Sequence, residues 1–274
     1  MGMKTIIVAT DFSKASQNAI DYAVEIALQV NARLILFNAY QMPVAVSEMP
    51  IVYDTEALIE DINKQLNTIK DKIQQQKGSR LLVQTEVSEG SLIGCLKDIC
   101  EDMEPYAVVM GSQGTTAAER FFFGSNTLYA LKHLHWPILA VPPQYTFKGI
   151  GKVAFASDLN KDVGKTALAI LKDWVTDFNA ELHIVHSAPE DQLYENAVFA
   201  SGAMQKEFNL LKPRFHFISG KNVEESISQF VVQEQMDVLV LLHKSYGFIE
   251  GLFHKSQARH FALNTAIPLL VLHE

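Results

Sequence analysis

Cysteine is scarce in this chain: two among 274 residues, Cys95 and Cys100, both inside "GCLKDIC". Five apart on a helix they point to different faces, and their spacing is not that of a metal site. The expectation is two reduced thiols in or near a core, as in a cytosolic protein, rather than a disulfide framework. Long apolar runs are missing too. Stretches such as "VLVLL" stay far below the roughly 20 residues needed to span a bilayer. The N-terminal "MGMKTIIVATDFS" lacks the basic and apolar segments of a secretion signal. Positive charge is in deficit, with 23 Lys and Arg against 31 Asp and Glu and a net charge of −8. With no basic run, a general affinity for nucleic acid or an anionic membrane is excluded from the expectations, and any anionic ligand must be held locally. A cytoplasmic location is expected.

What is present suits folded domains. Hydrophobic residues make up 48% and charged residues 20%, which leaves no room for extensive disorder. A length of 274 residues is comfortable for two α/β domains. The chain also repeats itself. "KTIIVATDFS" (4 to 13) resembles "GKVAFASDLN" (151 to 160), which sets Asp11 beside Asp158. "NARLILFNAY" (31 to 40) resembles "NAELHIVHSA" (179 to 188). Aligning Pro137 with Pro268 brings residues 108 to 143 into ungapped register with the C-terminal "LVLLHKSYGFIEGLFHKSQARHFALNTAIPLLVLHE". Two units follow, 1–145 and 146–274, joined near "PPQYTFKG".

Within the first unit, β-rich apolar runs at about 4 to 10, 33 to 38, 82 to 87, 106 to 110 and 138 to 141 alternate with helix-period segments. Ala19, Ile20, Ala23 and Ala27 make one apolar stripe; Leu58, Ile62, Leu66, Ile69 and Ile73 make another. Near-continuous apolar strands suit a sheet covered on both faces. The expected fold class is α/β, with two tandem doubly wound open parallel sheets of five strands each. A ligand then belongs at the carboxyl ends of the strands, where strand order reverses. Asp11 ends the first strand and Gly111 the fourth.

Glycine is used sparingly, 14 in the whole chain, yet Gly111, Gly114 and Gly124 punctuate "VVMGSQGTTAAERFFFGSNTLYALKHLHWPILAVPP". A turn through Gly111 and Gly114, with positive φ and close main-chain approach, would present amides to a phosphate. Gly124 with Ser125, Asn126 and Thr127 would open a helix whose first amides favour an anion, with Ser125 and Thr127 adding hydroxyl donors. Each feature singly also reads as an ordinary turn or helix start. Asp11 would accept from an adenine amino or ribose hydroxyl group, or else cap its own turn.

Gly111, Gly114, Gly124 and Ser125, together with "VATDFS", "VVMGSQG", "FFFGSNT" and "WPILAVPP", resemble the universal stress protein family in a tandem two-domain form. The resemblance implies ATP at the carboxyl edge of a five-stranded sheet, Mg²⁺ being the ion that usually accompanies its phosphates. It sets Asp11 at the adenosine end and Ala39 in the base pocket through its backbone. Gly111 and Gly114 would border ribose and phosphates, and Gly124, Ser125 and Asn126 would hold the phosphates. Ala39 stands where a valine is common and Asn38 where a histidine is common; His186 keeps that histidine. Single-domain relatives commonly dimerise through the last strand, so the two last strands here are expected to pair with each other, with a protein partner or a homodimer as further partners.

In the second unit, Leu242, Ser245 and Lys255 replace the three glycines while Ser256 is kept, so that unit is expected not to hold ATP in the same way. It carries seven of the nine histidines, among them His183 and His186, which point to opposite faces of one strand. No familiar zinc spacing appears. The apolar connection 40 to 54 reads as a lid, an interface loop or ordinary packing, and "FFF" (121 to 123) as packing. The expected function is an ATP-binding stress or signalling module. The alternatives are a slow ATPase or self-phosphorylating protein, or a sensor of another ligand through the second unit. A Walker A lysine and a base placed to activate water are both missing.

Overall fold

The structure is a computed structural model, and the residues described are 2–42, 54–112, 124–143, 145–157, 164–188, 206–220, 222–243 and 267–273. Consecutive apolar and β-branched residues form strands buried on both faces. In the first half these are β1 (Lys4–Ala9), β2 (Ala32–Tyr40), β3 (Val83–Glu89), β4 (Ala107–Gly111) and β5 (Ile138–Val141). Helices α1 (Lys14–Gln29), α2 (Thr55–Lys77), α3 (Leu92–Met103) and α4 (Ser125–His133) lie between them. The second half supplies β6 (Lys152–Ala156), α5 (Lys165–Asp177), β7 (Glu181–Ala188) and β8 (Arg214–Ser219). It ends with α6 (Val223–Gln233), β9 (Val238–His243) and β10 (Leu269–His273).

The strand order is β3-β2-β1-β4-β5-β10-β9-β6-β7-β8. Neighbours within each half are parallel, and the order reverses between β1 and β4, with Val8 opposite Val109, and again between β6 and β9. The halves meet where β5 and β10 run antiparallel, Leu139 opposite Leu270. The two five-stranded sheets are therefore halves of one ten-stranded sheet. Pairing β5 with β10 satisfies main-chain groups that a bare edge would leave to solvent or another chain.

Helices α1, α2 and α5 cover one face in a cluster that includes Ile20, Leu66 and Trp174, and α3, α4 and α6 cover the other with Cys95, Leu131 and Ile227. The stripe on α1 is buried as its spacing requires; that on α2 begins at Ile62, because Leu58 is 38% exposed. Cys95 and Cys100 are free thiols, and the broad apolar face of α3 takes both into the same cluster. The duplication extends to the backbone of the turns. Asn31 and Asn179, after α1 and α5, have φ of 52° and 48°, and Glu104 and Gln235, after α3 and α6, have 43° and 54°.

Aromatic packing closes the seam between the halves. Tyr106 stacks on Trp174 with ring centroids 5.1 Å apart, and Tyr22 of α1 packs against Tyr145 and Phe147 of the connecting segment. Asn18 donates to the carbonyls of Pro142 and Tyr145, and Asp237 accepts from the amides of Gly151 and Lys152. The Lys4 to Asp177 ion pair at the same seam is partly exposed and adds less than the buried rings.

Candidate functional site

Reversal between β1 and β4 opens a crevice at their carboxyl ends, and the parallel register carries Thr10 and Gly111 to the same height. The turn from β1 into α1 is bound by its own hydroxyls. The Thr10 hydroxyl, 3.0 Å from Ser16 Oγ, accepts from the Phe12 amide at 3.0 Å. Ser13 Oγ caps α1 by accepting from the Ser16 amide, and Asp11 Oδ1 accepts from the Ser13 amide at 3.0 Å. These bonds hold Phe12 at φ 62°, a left-handed conformation that costs an ordinary residue about 1–2 kcal/mol. Asp11 is thereby presented on an exposed, fixed turn. Partial burial raises its carboxyl, but hydrogen bonds from Ser13 and Ser16 outweigh that and hold it below the usual carboxylate range, so at neutral pH it is an ionised acceptor.

On the neighbouring strand β2, Asn38 is buried and donates through Nδ2 to the Thr10 carbonyl at 2.8 Å. Its counterpart His186 places Nδ1 3.1 Å from the carbonyl of Ser157, the counterpart of Thr10. Asparagine on β2 and histidine on β7 thus do one job, each tying its strand to the first carbonyl beyond the strand beside it. Ala39 follows Asn38 at this edge, partly buried and in register with Ser88 of β3.

Gly111 corrects the expectation of a left-handed turn. It is the last residue of β4, and among the described residues the glycines with positive φ are Gly78, Gly90 and Gly149. A Cβ at Gly111 would stand 2.8 Å from the Ala15 carbonyl oxygen and 2.9 Å from its carbon. Glycine is needed here because the first turn of α1 lies on the strand end.

Helix α4 docks on the same strand end. The Gly124 amide donates to Ser112 O at 2.9 Å, and Thr127 Oγ1 donates to Gly111 O at 2.8 Å. Thr127 is buried and its proton is committed to Gly111, so it anchors the helix rather than offering the ligand donor expected of it. The side chains of Ser13, Asp54 and Ser91 cap α1, α2 and α3, whereas α4 starts from Gly124, which has none to give. Ser125 and Asn126 are exposed at that open end. The structure brings Asp11, Ala39, Gly111, Gly124, Ser125, Asn126 and Thr127 to one sheet edge. Gly114, the segment 43–53 and "FFF" at 121–123 lie outside the described residues. Chemically the edge offers first-turn amides and a helix dipole for an anion at one end, and a carboxylate acceptor for a hydrogen-bond donor at the other.

The sequence model of the universal stress protein family matches residues 2–142, just over half of the chain. The chain belongs to the universal stress protein family. Universal stress protein MJ0531 of Methanocaldococcus jannaschii is 28% identical over 141 residues, which are 50% of this chain and 81% of that one. A universal stress protein from Archaeoglobus fulgidus superposes with a TM-score of 0.74 at 14% identity, covering 100% of this chain and 99% of that one. The functionally unknown protein PA1789 from Pseudomonas aeruginosa does so with 0.63 at 16% identity, covering 99% and 93%. At these identities the superpositions show a shared fold along the whole chain.

The second half of this universal stress protein is built differently at the matching edge. Leu242 stands where the first half has Gly111, partly buried against the core, and β9 runs on to His243. Asp158, Ser245, Lys255, Ser256, His254 and His260 lie outside the described residues. His183, 2% exposed, stacks on His216 of β8 with Nδ1 and Nε2 2.9 Å apart, and His186 faces the other way. Burial, chiefly, lowers the pKa of both His183 and His216. Among the described residues no group of three or more His, Cys, Asp or Glu side chains is arranged to hold a metal ion.

Sequence reasoning missed Thr10, Ser13 and Phe12. The run "TDFS" before a helix carried a signal for the cap, since a hydroxyl residue at that point satisfies first-turn amides. Nothing local marked Phe12 as left-handed.

Proposed function

We propose that this universal stress protein is a cytoplasmic nucleotide-binding module that holds ATP in its first unit. The observation that carries the reading is the start of α4: a helix that opens on glycine, with Ser125 and Asn126 exposed, docked by Gly124 and Thr127 onto the end of β4. The phosphates would lie at the amides and hydroxyl of Ser125 and Asn126, with Mg²⁺ as their companion ion. The adenosine end would extend along the edge past Gly111 toward Asp11 and the backbone of Ala39. Family membership supports a ligand at this edge, and Asp11, ionised and fixed, supplies the acceptor.

Binding, not turnover, is the proposed chemistry, because Asp11 Oδ1 is engaged in its own turn and the Thr127 hydroxyl donates its hydrogen bond to the Gly111 carbonyl. Occupancy would then act as a signal in a stress response, read by a protein partner. Leu242 at the matching point of the second unit supports one site per chain. Calorimetric titration of nucleotide-free protein with ATP and Mg²⁺, followed by assay for ADP, tests this. One site without ADP, abolished in Gly124→Val, is expected; absence of heat with ATP overturns it, and steady ADP release replaces it with the ATPase reading.

A further inference from the structure

Thr10 is buried, and each polar group it carries is bonded. Its amide donates to the Phe37 carbonyl at 2.9 Å and its carbonyl accepts from Asn38, so the main chain is tied twice to β2. Its hydroxyl accepts from the Phe12 amide and lies 3.0 Å from the hydroxyl of Ser16, which is buried as well. Proton counting gives the direction of that second bond. Ser16 Oγ donates to the Ser13 carbonyl at 3.0 Å, and a carbonyl only accepts, so between the two hydroxyls Thr10 is the donor. One chain of bonds results, from the Phe12 amide through Thr10 and Ser16 to the Ser13 carbonyl. It encloses Asp11. That carboxylate accepts from the Ser13 amide, which follows the left-handed Phe12, and Phe12 is held by Thr10. The exposed acceptor is thereby fastened to the sheet through a buried hydroxyl.

We propose that Thr10 is a positioning residue of the nucleotide site, its hydroxyl fixing the Asp11 carboxylate at the place where the adenosine end of the ligand meets it. This role rests on the nucleotide reading of the edge, because Thr10 acts on the ligand only through Asp11. Without the Thr10 hydroxyl, the bond from the Ser13 amide to Asp11 stands alone in water, where one exposed hydrogen bond fixes little. The carboxylate then samples several orientations, and a ligand must restrict it again on binding. The ionised state of Asp11 agrees with this construction, since burial raises the carboxyl and the bonds of the turn more than offset the rise. The phosphate end is docked separately, by the Gly124 amide on Ser112 O and by Thr127 on Gly111 O, so it keeps its geometry when Thr10 is changed.

A double-mutant cycle on the full chain, read by calorimetric titration with ATP and Mg²⁺, tests the proposal. Thr10→Val keeps the shape and the main-chain ties but loses the hydroxyl. Its ATP affinity should fall by about 10-fold, and Thr10→Ser should restore it. Asp11→Ala removes the carboxylate, and in that background Thr10→Val should change affinity by less than about two-fold, because the group it positions is gone. In the nucleotide-free protein the Asp11 carboxyl, followed by NMR, should titrate higher in Thr10→Val than in the wild type, where it lies below the ordinary 3.8. An unchanged ATP affinity in Thr10→Val, or losses that simply add in the double variant, overturns the role. Should Thr10→Val not fold, Ser16→Ala cuts the same chain one link further on, and the same cycle with Asp11→Ala decides. A wild type that binds no ATP overturns the nucleotide reading itself, while the Asp11 titration still shows whether Thr10 holds the carboxylate.

Discussion

At the same point in two copies of one sheet stand Gly111 and Leu242. In the first copy α1 begins at Lys14, directly over the end of β4, and leaves no room for a Cβ. In the second copy α5 begins from Gly164, after β6, and Leu242 packs its side chain on the core. The glycine is thus a statement about where a neighbouring helix starts before it is one about a ligand. A helix that starts close to the strand end also sets its bound turn, and with it Asp11, at the mouth of the crevice. Among the described residues, the two copies share the sheet and differ at this one point of its edge.

The largest effect should come from breaking that contrast directly. Gly111→Ala is expected to lower stability by about 3 kcal/mol, because main chain rather than a movable side chain occupies the space. Leu242→Ala should cost about 2 kcal/mol, by lost packing alone. Urea denaturation measures both, and equal small losses would mean that α1 shifts easily. ATP affinity should fall in the first variant and not in the second. Next come the cross-strand ties. Asn38→Ala and His186→Ala each leave a carbonyl unmet and should cost about 2 kcal/mol, whereas Asn38→His and His186→Asn should stay within about 1 kcal/mol. Large losses in the exchanged pair would show that the two residues do different jobs.

A shallower effect is expected from pH. His183 and His216 are both lowered by burial, so their share of stability is intact above the ordinary histidine value and is lost as pH falls through it. Two ring nitrogens 2.9 Å apart cannot both keep protons. Glu181 and Arg214 sit beside His183, and Glu234 and Arg214 act on His216; the carboxylates soften the effect and Arg214 adds to it. Thermal midpoints between pH 7 and 5 should drop less in His216→Phe than in the wild type. The smallest change is Thr127→Val, which keeps the shape and removes the bond to Gly111; about 1 kcal/mol and a few-fold weaker ATP binding are expected, read by denaturation and calorimetry.

Strands were legible because runs such as "IIVA" and "ILAV" are apolar residue by residue, and the repeat was legible because it preserves Asp11 with Asp158 and Pro137 with Pro268. The sheet edge that carries Asp11 and Gly111 followed from strand order, since parallel crossovers leave one reversal point. Three things were not written locally. The reason for Gly111 depends on the position of Ala15, nearly a hundred residues away. The role of Thr127 depends on which acceptor its proton meets. The pairing of His183 with His216 joins two strands whose register no spacing within either one reveals. Leu58 shows the same limit in reverse, since it fits the stripe on α2 yet is 38% exposed.

The antiparallel join of β5 to β10 has a consequence for how the molecule changes over generations. Between separate chains such a junction forms only above some concentration, and any alteration is imposed on both partners at once. Here it is unimolecular, so dilution does not undo it. One half can lose its glycines and gather histidines while the other keeps its crevice, and the shared sheet still closes around both.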